Sequence, residues 1–203
     1  NGRVYEMLED VKSRLRYGKI MIMCDQDTDG SHIKGLCINL FHCEWKSLTQ
    51  IPGFISFMNT PILRASKGAQ TLSFYNNGEY DSWKREIGDT TAATWKIKYF
   101  KGLGTSKSDE FKEYFANKKI VDFVYDPALS DDVIDKVFND KRANDRKTWL
   151  IEKYDKNAFL DTSKPSVSYG DFIDNELIRF SNYDCARSIP CAIDGLKISL
   201  RKI

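Results

Sequence analysis

The chain has 203 residues, which is long enough to bury a hydrophobic core in one large or two small domains. Its 41% hydrophobic and 30% charged residues are typical of a globular protein, and no apolar run reaches the length of a membrane span. The net charge of +2 excludes a uniformly basic nucleic-acid binder, and five cysteines without a C-x-x-C pair disfavour zinc sites and disulfides.

The N-terminal part of the chain begins with a predicted helix over residues 1–16 and a short apolar strand over residues 20–23. Three alternating carboxylates follow the strand: Asp25, Asp27 and Asp29. Gly30 permits a sharp change of direction, and Ser31 is a good N-cap for a helix over residues 31–48. The apolar positions of that helix are Ile33, Leu36, Cys37, Leu40 and Phe41. The pattern predicts a buried strand, an acidic loop and a helix start.

The acidic loop has the composition of a magnesium site. In an extended segment, alternate side chains point to one side, so the three carboxylates can converge. Like charges at that distance need a divalent cation, a helix N-terminus or a proton to offset their repulsion. Hard oxygen ligands without a thiolate pair favour Mg²⁺, with Mn²⁺ or Ca²⁺ as substitutes. The alternative is a solvated acidic turn, but a strand before the loop and a helix after it favour the metal site.

Three kinds of metal or phosphate site contain such a string. An EF-hand loop matches residues 25–30, but its twelfth position should be a glutamate and is Leu36 here, and a strand rather than a helix precedes the loop. Haloacid-dehalogenase-like phosphatases also place D-x-D after an apolar strand, although Asp29 stands where they usually have Thr or Val. The third kind is the Toprim domain, in which D-x-D binds Mg²⁺ for DNA strand breakage and rejoining.

The middle of the chain alternates between predicted strands and short helices. The predicted strands cover residues 54–63, 71–75, 95–100 and 120–125, the predicted helices cover residues 79–85 and 108–117, and residues 88–94 form a loop.

The sequence KGLGTS, residues 101–106, is the second stretch with the composition of a binding site. Gly102 and Gly104 let the backbone approach a ligand closely, and Lys101 supplies a positive charge. Residues 96–119 carry seven lysines and three acids, a surplus that suits a phosphate backbone. By itself, the stretch is also compatible with a plain turn between a strand and a helix.

The C-terminal part contains a second basic cluster after a helix that Ser130 is predicted to cap. Its members are Lys141, Arg142, Arg146 and Lys147, which indicate either a DNA contact or a solvated helix face. Residues 156–168 have the composition of a linker, and a helix is predicted over residues 171–180. Residues 179–203 hold five basic and two acidic side chains, again a positive surplus.

Three stretches now agree on one family. DQDTDGSHIKGL, KYFKGLGTS and FSNYDCARSIPCAIDGLK occur in an order and at spacings that resemble eukaryotic-type DNA topoisomerase II, over nearly the whole chain. The resemblance implies an α/β fold, with a Toprim domain built on a Rossmann-like parallel sheet, an α+β extension and the beginning of a winged-helix DNA-cleavage domain. It places the Toprim region and its extension at residues 1–125, a helical connector at 126–168 and the start of the DNA breakage-reunion region at 169–203.

The same resemblance implies roles for individual residues. Asp25, Asp27 and Asp29 are expected to bind Mg²⁺. Six residues are expected to contact DNA: Lys101, Gly102, Gly104, Lys141, Lys197 and Arg201. The family's reaction is ATP-driven passage of one duplex through a transient double-strand break in another. The implied partners are double-stranded DNA and a second copy in a homodimer, with no membrane, and the implied location is the nucleus, with an organelle as the alternative.

The chain also departs from the family's pattern. No glutamate motif precedes Asp25, the nucleophilic Tyr lies downstream of Ile203, and the ATPase domain is absent. We therefore expect a piece of a larger enzyme that has no catalytic residue of its own, binds no ATP and is inactive alone. LKISLRKI differs from the usual L-K-P-x-Q-R-K, which weakens the roles of Lys197 and Arg201. A magnesium-dependent phosphatase and a non-catalytic DNA-binding module remain the alternatives.

Overall fold

The computed structural model describes residues 4–203, and these residues form an α/β fold with two sheets. The described strands are β1 (Ile20–Ile22), β2 (Ile55–Met58), β3 (Leu63–Lys67), β4 (Gln70–Phe74), β5 (Lys96–Tyr99), β6 (Ile120–Val124) and β7 (Ser166–Ser168). The described helices are α1 (Leu8–Arg14), α2 (Thr28–Glu44), α3 (Lys46–Gln50), α4 (Asn77–Ile87), α5 (Asp89–Ala92), α6 (Ser108–Ala116), α7 (Ser130–Phe138), α8 (Ala143–Lys153), α9 (Tyr169–Phe172), α10 (Ile178–Ser188) and α11 (Ile198–Arg201).

The main sheet has the strand order β1-β2-β6-β7. The β1–β2 and β6–β7 pairs are parallel, whereas β2 and β6 are antiparallel, so that Phe57 lies beside Val121. The α/β fold class is thereby confirmed, with one antiparallel pairing inside the expected parallel sheet. Strand β7 lies in the segment 156–168 that composition predicts to be a linker, and this prediction is wrong for its last three residues. Val167 is an apolar side chain buried beside Phe123, which explains why this short segment joins the sheet.

The second sheet is antiparallel, with the order β4-β3-β5. The predicted strand 54–63 is in fact strand β2, a turn and the first residue of β3. The small core of this second sheet consists of Ile62, Leu63, Ala65 and Phe74. Strand β5 leads directly into the KGLGTS loop, so this sheet positions the loop relative to the main sheet.

The core of the main sheet is aromatic. Phe123 on β6 stacks on Tyr169 with ring centroids 5.3 Å apart and meets Phe172 edge-on at 5.4 Å. Phe57 on β2 lies 5.2 Å from Phe123. All four side chains are almost fully buried, and aromatic pairs of this geometry stabilise a core beyond the burial of their area. The helix that follows β7 is therefore fixed to the sheet.

Helix α2 buries only part of the face that its apolar pattern predicts: Cys37 and Phe41 pack against the core. Ile33, Leu36 and Leu40 are each about half exposed, at 50%, 47% and 52%. The buried positions are Gly30, Ser31, Lys34, Gly35 and Ile38. A Cβ on Gly35 would lie 3.0 Å from Phe138 and 3.2 Å from Leu177, so the absence of a side chain there lets the neighbouring elements approach the helix. The inward face of α2 therefore depends on close approach as well as on apolar content.

The C-terminal helix is longer than predicted and contains a wide turn. Instead of residues 171–180, it runs without interruption from Tyr169 to Ser188 through α9, a π-helical turn at Ile173–Leu177 and α10. π-helical turns of this kind occur mostly as single insertions within α-helices and often at functional sites. The turn carries Glu176, whose contacts are described below.

At the other end of the chain, helix α1 is shorter than the predicted helix over residues 1–16, of which the first three lie outside the described residues. Among residues 4–203, no helix combines the length and the apolar character that crossing a bilayer requires.

Candidate functional site

The acidic loop follows β1 at the carboxyl end of the strand, where sites of α/β sheets usually lie. Asp27, not Ser31, is the N-cap of α2: its Oδ1 accepts a hydrogen bond from the Gly30 N–H at 2.7 Å, and the helix begins at Thr28. The prediction of Ser31 as the N-cap is therefore wrong. Aspartate and serine both cap well, and the earlier residue is used because the chain already turns at Asp25–Asp27.

Gly30 lies inside the first turn of α2 rather than at a change of direction. A Cβ on Gly30 would stand 1.9 Å from the carbonyl oxygen of Asp25, a distance that no side chain can occupy. The glycine thus lets the backbone of the acidic loop fold back onto the start of the helix.

The KGLGTS loop and the acidic loop are in direct contact. The backbone N–H of Leu103 donates to Asp25 Oδ1 at 2.7 Å. Gly102 has a φ of 153°, which disfavours any other residue, and a Cβ there would lie 2.8 Å from Asp25 Oδ2. Two motifs that are 78 residues apart in the sequence therefore form one site. This contact is what distinguishes the KGLGTS loop from a plain turn.

Asp29 is held away from the other two carboxylates. Asp29 lies in the first turn of α2, and its Oδ1 accepts a hydrogen bond from Arg187 Nη2 at 2.8 Å. Within residues 4–203, no group of three or more acidic, histidine or cysteine side chains is arranged to hold a metal ion. The described structure thus brings Asp25 and Asp27 into one loop and does not bring Asp29 to them.

Asp25 and Asp27 suit a hard cation. One oxygen of each carboxylate is engaged, by Leu103 and Gly30 respectively, and among the described residues no hydrogen bond reaches either Oδ2. Two carboxylates with free oxygens match the usual protein share of a magnesium shell, which waters complete. The neighbouring Cys24 is unsuited as a ligand, because burial raises the pKa of its thiol to about 11.

A buried ion pair lies beneath the acidic loop, and sequence reasoning missed it. Lys34 is 1% exposed and its Nζ binds Glu176 Oε1, to which Ser31 Oγ also donates at 2.8 Å. The ammonium lies 4.6 Å from the centre of the Phe57 ring. The signal was present in α2, since Lys34 falls on the same helical face as Ile38, but a lysine between apolar residues is more often solvated.

The predicted DNA contacts are distributed over three segments. Lys101, Gly104, Lys141, Lys197 and Arg201 are exposed, and Gly102 is half-buried against Asp25. Arg201 forms an ion pair with Asp194 at 2.8 Å.

Two other members of the second basic cluster are engaged within the protein. Arg142 binds Asp132, Asp135 and Asp145, and Arg146 donates to the carbonyl oxygens of Lys136 and Asn139. In this cluster Lys141 and Lys147 are exposed, and Lys147 Nζ donates to Asn144 Oδ1 at 3.4 Å.

Comparison with known proteins gives consistent results. The C-terminal associated domain of TOPRIM (TOPRIM_C) matches residues 58–185. DNA topoisomerase 2 of Plasmodium falciparum is 47% identical over 198 residues, and that of Arabidopsis thaliana is 48% identical over 199. Each alignment covers 96% of this chain but only 14% and 13% of those proteins, so the chain spans about one seventh of their length.

A solved structure is similar as well. The crystal structure of the Plasmodium falciparum topoisomerase II DNA-binding, cleavage and re-ligation domain superposes with a TM-score of 0.81 at 46% identity. The superposition covers 91% of this chain and 25% of that one.

Proposed function

Because the chain belongs to the TOPRIM_C family and is homologous over nearly its whole length to eukaryotic DNA topoisomerase 2, we propose that it is part of such an enzyme. The complete enzyme uses ATP to pass one DNA duplex through a transient double-strand break in another. In this proposal the chain supplies magnesium ligands and contacts to the DNA backbone. The observation that carries it is the hydrogen bond from the Leu103 N–H to Asp25, which joins the KGLGTS loop to the acidic loop.

Asp25 and Asp27 would hold the magnesium ion, with Asp29 as a weaker third ligand. The bound ion would stabilise negative charge on the attacking and leaving oxygens of strand cleavage. The protein's own contribution is to fix both carboxylates before the ion arrives. The Leu103 N–H holds Asp25 and the Gly30 N–H holds Asp27, so little side-chain ordering remains to be done on binding.

The DNA contacts would use two kinds of group. Lys101, Lys141, Lys197 and Arg201 would bind phosphates through their charges, which positions the duplex without reading its sequence. Gly102 and Gly104 would let the backbone of the KGLGTS loop approach the duplex. Arg201 would first have to exchange Asp194 for a phosphate.

The division at residues 125 and 168, the homodimer, ATP use and the nuclear location belong to the same proposal for the complete enzyme. The isolated 203-residue chain is expected to be inactive, because no nucleophilic Tyr is assigned within it. Incubation of the purified chain with supercoiled DNA and Mg²⁺ tests this. Cleaved or relaxed DNA would contradict it.

The test of the proposed function is Asp27→Asn in the complete enzyme. Asparagine caps helices as well as aspartate, so α2 is expected to stay intact while one charge is lost from the metal site. Magnesium-dependent DNA cleavage should fall at least about tenfold, a loss of about 1.4 kcal/mol in transition-state stabilisation, with magnesium-free DNA binding retained.

The matched control for Asp27→Asn is Asp155→Asn, which makes the same change in an exposed turn where Oδ1 accepts from the Asn157 N–H at 2.8 Å. This variant should cleave DNA at the normal rate. Unchanged cleavage by Asp27→Asn would mean that the carboxylate is structural, and the magnesium role would be abandoned.

Gly102→Ala tests the contact between the two loops. The new methyl group would lie within 3.1 Å of three atoms of the Asp25 carboxylate group, so the loop or the carboxylate must move. Cleavage by the complete enzyme should fall about tenfold, with a higher magnesium requirement. Gly170→Ala is the control, because it lies outside both loops and a Cβ there would meet only Ser168 Oγ, at 3.7 Å. Equal effects of the two substitutions would show that the contact with Asp25 is not important.

A further inference from the structure

The start of α2 and the end of α10 are joined by an exposed ion pair. Arg187 Nη2 lies 2.8 Å from Asp29 Oδ1, and its Nε lies 2.9 Å from Asp184 Oδ1. The guanidinium also lies 4.8 Å from the centre of the Tyr183 ring. Arg187 is thus held in one orientation at the end of its helix, with Asp29 as its distant partner.

The Asp29–Arg187 pair can open without separating the helices. Its side chains are 55% and 36% exposed, and exposed ion pairs contribute little to stability and are screened by salt. Two other contacts hold α2 to the continuous helix 169–188: Lys34 forms a buried pair with Glu176 in the π-helical turn, and the His32 ring stacks on Phe180 with ring centroids 4.0 Å apart. The ion pair is therefore the contact that can be exchanged.

The position of the pair relates it to both proposed sites. Asp29 follows Asp27 by two residues, and Arg187 immediately precedes the exposed segment 188–203 that carries Lys197 and Arg201. A guanidinium binds a phosphate through two parallel hydrogen bonds, in the geometry in which it binds a carboxylate. A DNA phosphate at this surface would compete directly with Asp29 for Arg187.

We propose that Arg187 is a positioning residue that exchanges Asp29 for a DNA phosphate, so that the third carboxylate becomes available to magnesium only when DNA is bound. This inference rests on the proposed function. The inference links the binding of DNA to the charge of the acidic loop through one exchangeable ion pair. DNA must therefore raise the affinity for magnesium by the same factor by which magnesium raises the affinity for DNA.

The first test measures binding of a labelled DNA duplex to the complete enzyme by fluorescence anisotropy, without magnesium. Asp29→Asn should tighten binding at least about threefold, because Arg187 no longer has to leave a carboxylate. Arg187→Gln should weaken binding and lower the salt slope by about one ion. Combining both substitutions should remove the gain from Asp29→Asn.

The matched control is Asp89→Asn. Asp89 is also an exposed aspartate in the first turn of a helix and pairs with Lys84 at 3.0 Å, so its loss makes the same change in net charge. The proposal is overturned if Asp29→Asn and Asp89→Asn have equal effects, or if the gain from Asp29→Asn persists beside Arg187→Gln.

The second test measures binding of Mg²⁺ alone to the DNA-free enzyme by calorimetry. Arg187→Gln should tighten binding at least about threefold by releasing Asp29, and Asp29→Asn in the same chain should abolish the gain. Unchanged magnesium affinity of Arg187→Gln would overturn the proposal. A wild-type enzyme that binds no duplex would refute the proposed function itself, whereas normal duplex binding by every variant would refute only the exchange.

Discussion

Replacing Gly30 with alanine is expected to destabilise the chain by about 3 kcal/mol or more, at the upper end of the range for overpacked sites. The added methyl group would stand 1.9 Å from the Asp25 carbonyl oxygen and 2.9 Å from its carbon. Both atoms belong to the backbone, so no rotation of a side chain can relieve the clash. Either the acidic loop or the first turn of α2 must move. Urea unfolding of the 203-residue chain, followed by circular dichroism, measures the loss.

The control for Gly30→Ala is Gly170→Ala in α9. A Cβ at Gly170 would meet only Ser168 Oγ, at 3.7 Å, which is an ordinary contact. Because alanine favours helices over glycine, this variant should be unchanged or more stable by up to about 1 kcal/mol. If Gly30→Ala were as stable as Gly170→Ala, the described contact between the Asp25 carbonyl group and Gly30 would be contradicted. In the folded fraction of Gly30→Ala, the displaced Asp25 should also lose its contact with Leu103.

Replacing Lys34 with methionine should cost about 3 kcal/mol of unfolding free energy. Methionine fills a similar volume, so the loss is electrostatic: the Glu176 carboxylate, whose side chain is 18% exposed, would be left with only Ser31 beside it. Breaking one partner of a buried pair typically costs about 3–5 kcal/mol, and the partial exposure of Glu176 puts this case at the lower end. The same urea titration measures the change.

A double substitution tests whether the loss of stability in Lys34→Met comes from the unpaired charge of Glu176. Lys34→Met combined with Glu176→Leu removes both charges, and replacing a buried pair by apolar groups is often close to neutral. The double variant should therefore be more stable than Lys34→Met alone. Lys84→Met, which breaks an exposed pair with Asp89, should leave the stability almost unchanged. If Lys34→Met behaved like Lys84→Met, Lys34 would not be buried as described.

The local parts of this fold follow well from the sequence. The predicted strands 20–23 and 95–100 and the predicted helix 108–117 coincide closely with β1, β5 and α6, because each depends on neighbouring residues. Strand β7 does not follow, since three residues in a polar segment gain their structure only by pairing with β6. Strand β3 is also missed by the sequence prediction beyond its first residue, because its polar residues give only a weak strand pattern and it gains its structure by pairing with β4 and β5.

The candidate site is predictable in its residues but not in its geometry. The composition of residues 25–30 and 101–106 indicates the carboxylates and the glycines. Their contact does not follow, because nothing local to either stretch specifies that Asp25 accepts from Leu103. The burial of Lys34 depends likewise on Glu176, which lies 142 residues away. The pairing of Asp29 depends in the same way on Arg187, which lies 158 residues away.

The wide turn at Ile173–Leu177 sets the angular phase of everything after it. An α-helix advances by about 100° per residue. A π-helical turn forms its hydrogen bonds one residue further along the chain, so it fits about one more residue into the same rotation. Deleting one residue there would leave an unbroken α-helix with α10 in nearly the same phase, whereas forcing the same residues into α-helical geometry would rotate α10 by about a quarter turn. Arg187 and Phe180 would then face away from Asp29 and His32. The π-helical geometry of the turn therefore keeps this side of α10 facing the acidic loop.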